Sequence, residues 1–565
     1  MPCCELHVRL TRSVIISVCI FFIISIVHAQ KAETQQPTVT NVPAEMAFTD
    51  TAAEASPVQG YQITTLHYNI KGLTRKYPLS QAVPIDTTLV FDSEEALLSY
   101  LRDLKQRFKN IRVIQTVEID TDYGDTDNRA IIPVTLTIAI TDTWNFIVVP
   151  YPSFDSNSGF QLKLKMQDFN FLGALQPLKA DLVYRSTETD HQIFSSSINF
   201  ALPFQVRTFN LLWDSSFQIV YAFKEAPKIN IGTGLEASHK FNKHFSLAFG
   251  LSSELAINDR SSSEMSTVDT AKNAQEEEFR SEDTASQTEK AEPRGLGYLY
   301  PNDRYYFNTK LYVRFPVMIT EVKNFGSLVW TPSMSLTGNW AFDGIQADDL
   351  KTWSFNWGHT LSLSRVNWET NFRKGLSLSL GNTYTYQFYN KQKMYTGFTA
   401  SLAGYYPFIN RIGIYGRMQC FYYLFGNTST QAGSILRGIL NKRIDTDTAF
   451  TFNLDIPIRV ISLDFQTITG VAWTRFLNCD IQFAPFLDIA LVHDQKTKRY
   501  YHPADGWYAG GMEIIVYPEK LRSIYVRASL GFDLTELKNL SGLKGQARRD
   551  GEEITEIFIG IGLHY

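Results

Sequence analysis

Two aspartates and one arginine in the last third of the chain have the types and spacing to build a charged centre. In the segment 447–461, Phe450, Phe452, Leu454, Ile456 and Ile458 alternate with other residues, so Asp455 falls on the opposite face. In the segment 479–494, Ile481, Phe483, Leu487, Ile489 and Leu491 form the apolar set, while Asp480, Gln482, Asp488 and Asp494 share the other face. If the two segments are neighbouring strands, Asp455 and Asp488 can point into one space. Arg437 lies upstream in a loop spanning about 427–446. Arginine suits two carboxylates because its planar guanidinium presents a fork of donors, where lysine acts as a point charge. Gly438 beside it allows a tight turn. Periodicity alone leaves a second outcome open, in which Arg437 is a solvated loop residue and both aspartates line water.

Other chemistry is poorly represented. The chain has no H-E-x-x-H metal motif, no G-x-S-x-G elbow, no P-loop and no dinucleotide fingerprint. Its 10 histidines are scattered. Cys3, Cys4 and Cys19 sit in a leader, so only Cys420 and Cys479 remain for the rest of the chain, too few for a disulfide framework or a metal cluster. The stretch Asp122 to Arg129 has calcium-like acidic spacing, but its glycine is misplaced and no closing glutamate follows; a solvated hairpin turn is expected. The expectation is a protein without catalysis, metal or cofactor. A lumenal hydrolase would need a constellation that these motifs do not supply. With 57 acidic and 53 basic residues and a net charge of −4, nucleic acid is excluded as a natural partner.

The elements that must position the charged centre follow from patterning. Arg9 and Arg12 precede an apolar run from Ser13 to Val27, and Val27-His28-Ala29 resembles a cleavage site, so residues 1–29 read as a signal peptide. Residues 30–58 are rich in Thr, Ala, Pro, Gln and Glu and read as a flexible leader. Residues 59–146 form one small α+β unit. Tyr61 to Ile70 is strand-like. Asp92 and Glu95 have capping-box spacing ahead of a helix with Leu97, Leu98, Leu101, Leu104 and Phe108 on one face. Two alternating strands follow, carrying Ile111, Val113, Val117 and Ile119, then Ile132, Val134, Leu136, Ile138 and Ile140. Residues 73–91 contain Pro78 and Pro84 and read poorly as helix.

Residues 147–565 are different. From Phe160 onward about seventeen segments alternate apolar and polar residues between turns, the pattern of a transmembrane antiparallel β-barrel. In one, Phe160, Leu162, Leu164 and Met166 oppose Gln161, Lys163, Lys165 and Gln167. In another, Ile524, Val526, Ala528, Leu530 and Phe532 oppose Tyr525, Arg527, Ser529, Gly531 and Asp533. Aromatics make up 13% of the chain and charged residues 19%, which suits a lipid-facing surface with ringed rims. No later stretch approaches the ~20 apolar residues of a spanning helix, so any crossing must use strands. Residues 260–294 form a hydrophilic, Glu-rich insert whose side of the membrane patterning does not decide.

Several stretches resemble the outer-membrane insertase superfamily (the bacterial surface antigen family), whose members join periplasmic POTRA domains to a sixteen-stranded barrel. The superfamily includes the central subunit of the barrel-assembly machinery, the translocation-assembly barrel and two-partner secretion transporters. Residues 61–145 resemble one POTRA unit: strand, two helices, two strands. Asn170-Phe171-Leu172-Gly173 resembles the turn after the family's first barrel strand. Leu436-Arg437-Gly438-Ile439 resembles the loop-six signature, with Ile where the family has an aromatic; Asp447-Thr448-Ala449 and Phe486-Leu487-Asp488 also resemble family positions. The final run with Ile561, Leu563 and Tyr565 resembles a barrel-assembly signal.

The resemblance implies an outer-membrane location with the N-terminal domain in the periplasm. It implies that Arg437 tucks into the lumen against wall acids such as Asp455 and Asp488, and that a weak seam joins the first and last strands near Phe160 and Tyr565. The implied partners are the lipid bilayer, client barrel or secreted polypeptides, and periplasmic accessory proteins. The implied activity is insertion or translocation of clients. The competing expectation is a simple outer-membrane pore or surface antigen with a small periplasmic domain.

Overall fold

The computed structural model describes residues 60–561, apart from 126–130, 156–158, 187–191, 223–226, 258–300, 349, 390–393, 426–427, 521–524 and 537–553. The expected signal peptide and leader, the 260–294 insert, the tip of the 122–129 turn, Leu563 and Tyr565 lie outside the described residues.

The N-terminal domain runs β1 (Gly60–Lys71), α1 (Lys76–Ala82), β2 (Val90–Phe91), α2 (Glu94–Asn110), β3 (Ile114–Tyr123) and β4 (Ile131–Asp142). Its sheet has the order β2-β1-β4-β3, with β1 parallel and β3 antiparallel to β4. Alternation in β4 turns Val134, Leu136, Ile138 and Ile140 inward, and the apolar stripe of α2 covers them with Leu97, Leu101, Leu104 and Phe108. Each such burial stabilises by about 1.5–3 kcal/mol.

Three local expectations need correction here. Leu98 points away from this core and is exposed. The cap of α2 is Ser93 rather than Asp92: its hydroxyl accepts a hydrogen bond from the Ala96 N–H at 3.2 Å, with Glu94 and Glu95 in the first turn. α1 forms despite Pro78, because that proline sits in the first turn, where an N–H has no helical acceptor; Pro84 follows the Val83 cap and ends the helix.

Twenty strand segments, from β5 (Phe146–Asp155) to the terminal strand Thr555–Ile561, close into a barrel. Tyr305–Arg314 and Val317–Val322 lie end to end on Gly326–Trp340, and Thr448–Asp455 and Ile458–Leu463 lie end to end on Cys479–Val492. Each pair is one stave interrupted beside a proline, Pro316 or Pro457, which cannot donate to a ladder. The described wall therefore has eighteen staves, more than the sixteen that the resemblance implies, and an even number as closed antiparallel pairing demands.

One extra stave is β5, which sequence periodicity passes over because Pro150 and Pro152 give it the look of a loop. Its ten-pair ladder with Gly159–Asp168 is intact, so the two missing donors fall on its other edge. Among the described residues that edge meets the terminal strand through Phe558 with Asp155 and Ile559 with Phe154. The seam thus lies at β5, one stave before the position expected from Phe160. Likewise Asn170–Gly173 closes the turn after the second stave, not the first.

Outward residues form apolar rows across the wall. Trp213, Leu235, Leu251, Leu311, Leu336 and Phe355 are register neighbours on successive staves, and all but Leu336 are exposed. Exposed rings stand at both ends of neighbouring strands: Tyr386, Phe388 and Tyr389 at one rim, Tyr406 and Phe408 at the other. Among the described residues, no helix is long and apolar enough to cross a membrane.

The N-terminal domain sits at one rim, the near rim. The Arg75 N–H donates to the Gly173 carbonyl at 2.9 Å, Asn110 Nδ2 donates to Asn367 Oδ1 at 2.9 Å, and Thr143 Oγ1 donates to the Lys520 carbonyl at 2.9 Å. Strand direction then puts Ile257 and Tyr305, the ends that flank the 260–294 insert, at the opposite, far rim.

Candidate functional site

The loop that follows the strand Ile412–Leu424 (loop six by its resemblance, though the seventh far-rim connection of this eighteen-stave wall) folds back into the barrel from the far rim. A short helix, Gln431–Ile435, starts the return. Ala432, Ile435, Leu436, Ile439 and Ile444 then pack against Phe421, Ala449, Ala490, Val492, Trp507 and Ala509 of the inner wall. The three wall alanines are fully buried; their small side chains at inward positions make the space that the loop fills.

Arg437 sits at the end of this descent and is 3% exposed. Its Nε and Nη2 donate to Asp488 Oδ2 and Oδ1 at 2.9 and 2.7 Å, and its backbone N–H donates to the same carboxylate at 2.9 Å. Its Nη1 donates to Asp455 Oδ1 at 2.6 Å and lies 3.4 Å from Glu513 Oε1. The guanidinium carbon stands 3.9 Å from the centre of the Phe486 ring, a cation–π contact. One planar fork therefore serves two aspartates and approaches a third acid, a geometry lysine does not reproduce. Burial alone would lower the Arg437 pKa, but the Asp488 and Asp455 charges outweigh it and raise the value above the ordinary one.

Gly438 permits the approach. Its φ is +95°, and a Cβ there would lie 2.5 Å from the Phe532 nitrogen. The facing Gly531 is just as constrained, since a Cβ on it would lie 2.6 Å from the Gly438 Cα. Two glycines thus let loop backbone touch wall backbone. The Gly438 N–H donates to Glu556 Oε2 on the terminal stave at 2.6 Å.

Several partners escaped the sequence reading. Glu513 accepts from Arg527 Nη1 at 2.9 Å, and Arg527 stacks over Phe558 at 4.2 Å. Arg443 Nη2 donates to Asp533 Oδ2 at 3.0 Å, with both side chains buried, and lies 5.0 Å over Trp507. A signal was present: Glu513 stands between Met512 and Ile514 at an inward position, and Arg527 and Asp533 belong to the polar face of their strand. What sequence does not encode is which inward acid meets which arginine.

Asn170–Gly173 is remote from this cluster and performs a different task. Asn170 is fully buried; its Nδ2 donates to Thr74 Oγ1 at 2.7 Å, and its Oδ1 accepts from the Leu175 N–H at 2.9 Å. Gly173 has φ +72° and lies so close to the Leu73 carbonyl that no side chain fits. This turn joins the barrel to the N-terminal domain. Phe171 stacks on Phe200 of the wall, and Leu172 is exposed. At the terminus, Ile561 ends the last described strand, paired with Val526. Among the described residues no three metal-ligating side chains converge.

Comparison with known proteins found no matching family model and no matching curated protein. Among solved structures the chain is similar to BamA from Haemophilus ducreyi lacking POTRA domains 1-3, at 13% identity and a TM-score of 0.36, over 88% of this chain and 84% of that one. It is also similar to CdiB from Acinetobacter baumannii, at 10% identity and a TM-score of 0.45, over 89% of this chain and 74% of that one. CdiB from Escherichia coli gives 10% identity and a TM-score of 0.46, over 89% and 76%.

Proposed function

We propose that this chain is an outer-membrane barrel of the insertase or secretion type, which assists client polypeptides without catalysis. The observation that carries the reading is the link between loop six and the seam. Arg437 is pinned to the wall, Gly438 donates to Glu556, and Arg527 bridges Glu513 to Phe558. Glu556 and Phe558 belong to the terminal stave, which among the described residues meets β5 through the pairs Phe558 with Asp155 and Ile559 with Phe154. Pro150 and Pro152 leave the seam edge of β5 without two of the N–H donors that a continuous ladder would use. Here the inserted loop braces one lip of the seam while the other lip carries the two prolines, so an incoming strand can compete for this join.

The N-terminal domain, read as a POTRA-type unit in the periplasm, contributes a second edge. β3 lies at the margin of its sheet, and β2 covers only Tyr61 and Gln62 of β1. Extended clients can add to such an edge by main-chain hydrogen bonds.

The test is to lock the seam. Cysteines at 155 and 558, register partners across it, are introduced in a background lacking Cys420 and Cys479. Oxidation should stop assembly or export of clients, measured by profiling the outer-membrane proteome, and reductant should restore it. Unchanged client levels with the seam fully cross-linked would reject the reading in favour of a passive pore.

A further inference from the structure

Most connections at the near rim are short, but one is not. Between Leu463 and Cys479 the chain makes a two-part knob, the helix Phe465–Thr469 followed by a 3-10 turn, Ala472–Leu477. Its large apolar side chains stand outward beside exposed polar ones such as Gln466 and Thr467. Ile468, Val471, Trp473, Phe476 and Leu477 are all exposed, Trp473 at 64%. Several polar groups bond within the knob. Asp464 caps the helix by accepting from the Thr467 N–H at 3.2 Å and also accepts from Asn478 Nδ2 at 3.1 Å. The Thr469 hydroxyl donates to the Phe465 carbonyl at 2.7 Å and accepts from the Thr474 hydroxyl at 2.8 Å. The Asn478 Oδ1 accepts from the Phe465 N–H at 2.9 Å.

An element that satisfies its own backbone and shows apolar side chains outward has the design of one that meets lipid. Isolated exposed apolar residues are ordinary, but five on one connection are not. The barrel surface beneath the knob agrees. Ile461, Ile481, Val516 and Val526 are register neighbours, so an apolar row runs across the outer wall to the same rim. The knob continues that row beyond the end of the strands. Trp473 and Phe476 are side chains favoured at headgroup depth, and Arg475, stacked 5.6 Å from the Phe476 ring, can extend to lipid phosphates.

We infer that residues 464–478 form a lipid-binding knob that embeds Trp473, Phe476 and Leu477 in the near-rim leaflet of the bilayer. This inference rests on the membrane-barrel reading above. It adds that the barrel grips the leaflet on the side of its N-terminal domain. The occupant is lipid rather than protein because the apolar residues crown a convex knob contiguous with the outer wall, instead of lining a groove.

The test uses the full chain, with Cys420 and Cys479 replaced, reconstituted into phospholipid vesicles. A polarity-sensitive fluorophore is placed through Trp473→Cys, through Leu311→Cys in the outer apolar row, and through Lys496→Cys on an exposed far-rim loop. Vesicles carry nitroxide lipids labelled either near the headgroup or deep in the acyl chain, and iodide serves as the aqueous quencher. The 473 label should be quenched by the shallow nitroxide roughly threefold more than the 496 label, and be correspondingly shielded from iodide. If the 311 label also escapes the deep nitroxide, the membrane reading itself fails. If the 311 label is quenched while the 473 label behaves like the 496 label, the knob proposal alone falls. Shielding of 473 that occurs in detergent and rises with protein concentration would assign the knob to a second copy of the chain and overturn it. Heat-modifiable migration reports whether each variant has folded; should Trp473→Cys fail, Phe476→Cys replaces it.

Discussion

The two sides of the barrel wall use one alternation for different ends. On the strands from 178 to 240, the inward row Asp181, Ser197, Gln218 and Asn230 remains half-buried or exposed, facing open lumen. On the strands from 448 to 533, the inward residues Asn453, Asp488, Glu513 and Asp533 are almost wholly buried. The difference is loop six, which fills one side of the lumen and leaves the other wet. The same kind of polar side chain is therefore solvated on one wall and locked in an ion-pair network on the other. Burial, not residue type, sets what each contributes: an exposed polar group is nearly neutral, while a buried charge is costly to leave without its partner.

The sharpest way to break this contrast is Arg437→Ala. It leaves Asp455, Asp488 and Glu513 facing one another, and removing one member of a buried pair costs about 3–5 kcal/mol. The cost should appear as release of loop six, with rapid protease cleavage between 428 and 446 in a barrel that still migrates as folded. Arg437→Lys should restore little of the protection. A double-mutant cycle with Asp488→Asn should show a coupling of about 1–3 kcal/mol in the free energy of loop opening; additive effects would mean that the pair does not hold the loop.

A smaller effect separates two left-handed glycines. Gly438→Ala must strain φ and push Phe532 backbone, at about 2–4 kcal/mol, and should loosen loop six as well. Gly470→Ala meets nothing within 4 Å and should cost only the conformational penalty of about 1–2 kcal/mol, with loop six unaffected. Equal protease sensitivity in the two variants would show that loop–wall contact at Gly438 is not limiting.

The smallest effect belongs to the wet wall. Asn230→Ala should shift barrel stability by no more than about 0.5 kcal/mol, seen as an unchanged heat-modification midpoint. A loss as large as that of Gly438→Ala would mean that the open side of the lumen is packed after all.

The legible parts of this protein were those that follow from local period. Alternation marked nearly every stave, including the inward positions of Asp455 and Asp488, because a strand has only two faces and a half-lipid wall forces a choice between them. The apolar stripe of α2 was equally visible, although Leu98 fell outside it and the cap moved to Ser93. β5 was not legible, since Pro150 and Pro152 imitate a loop, and proline is tolerated there only because the strand borders a seam. Nor was α1, where Pro78 breaks the usual helix rule at the one turn that permits it.

Sequence by itself determined which faces are apolar, where the wall begins to alternate, and that Arg437 stands next to a glycine. Tertiary structure decided that Arg437 reaches Asp488 and Asp455 across 51 and 18 residues, that Gly438 meets Gly531, and that Glu513 and Arg527 join the same cluster. Those contacts depend on where a long loop falls inside a closed sheet. Period 2 reports only in or out; barrel closure and loop insertion choose which inward residues meet and which are left to water.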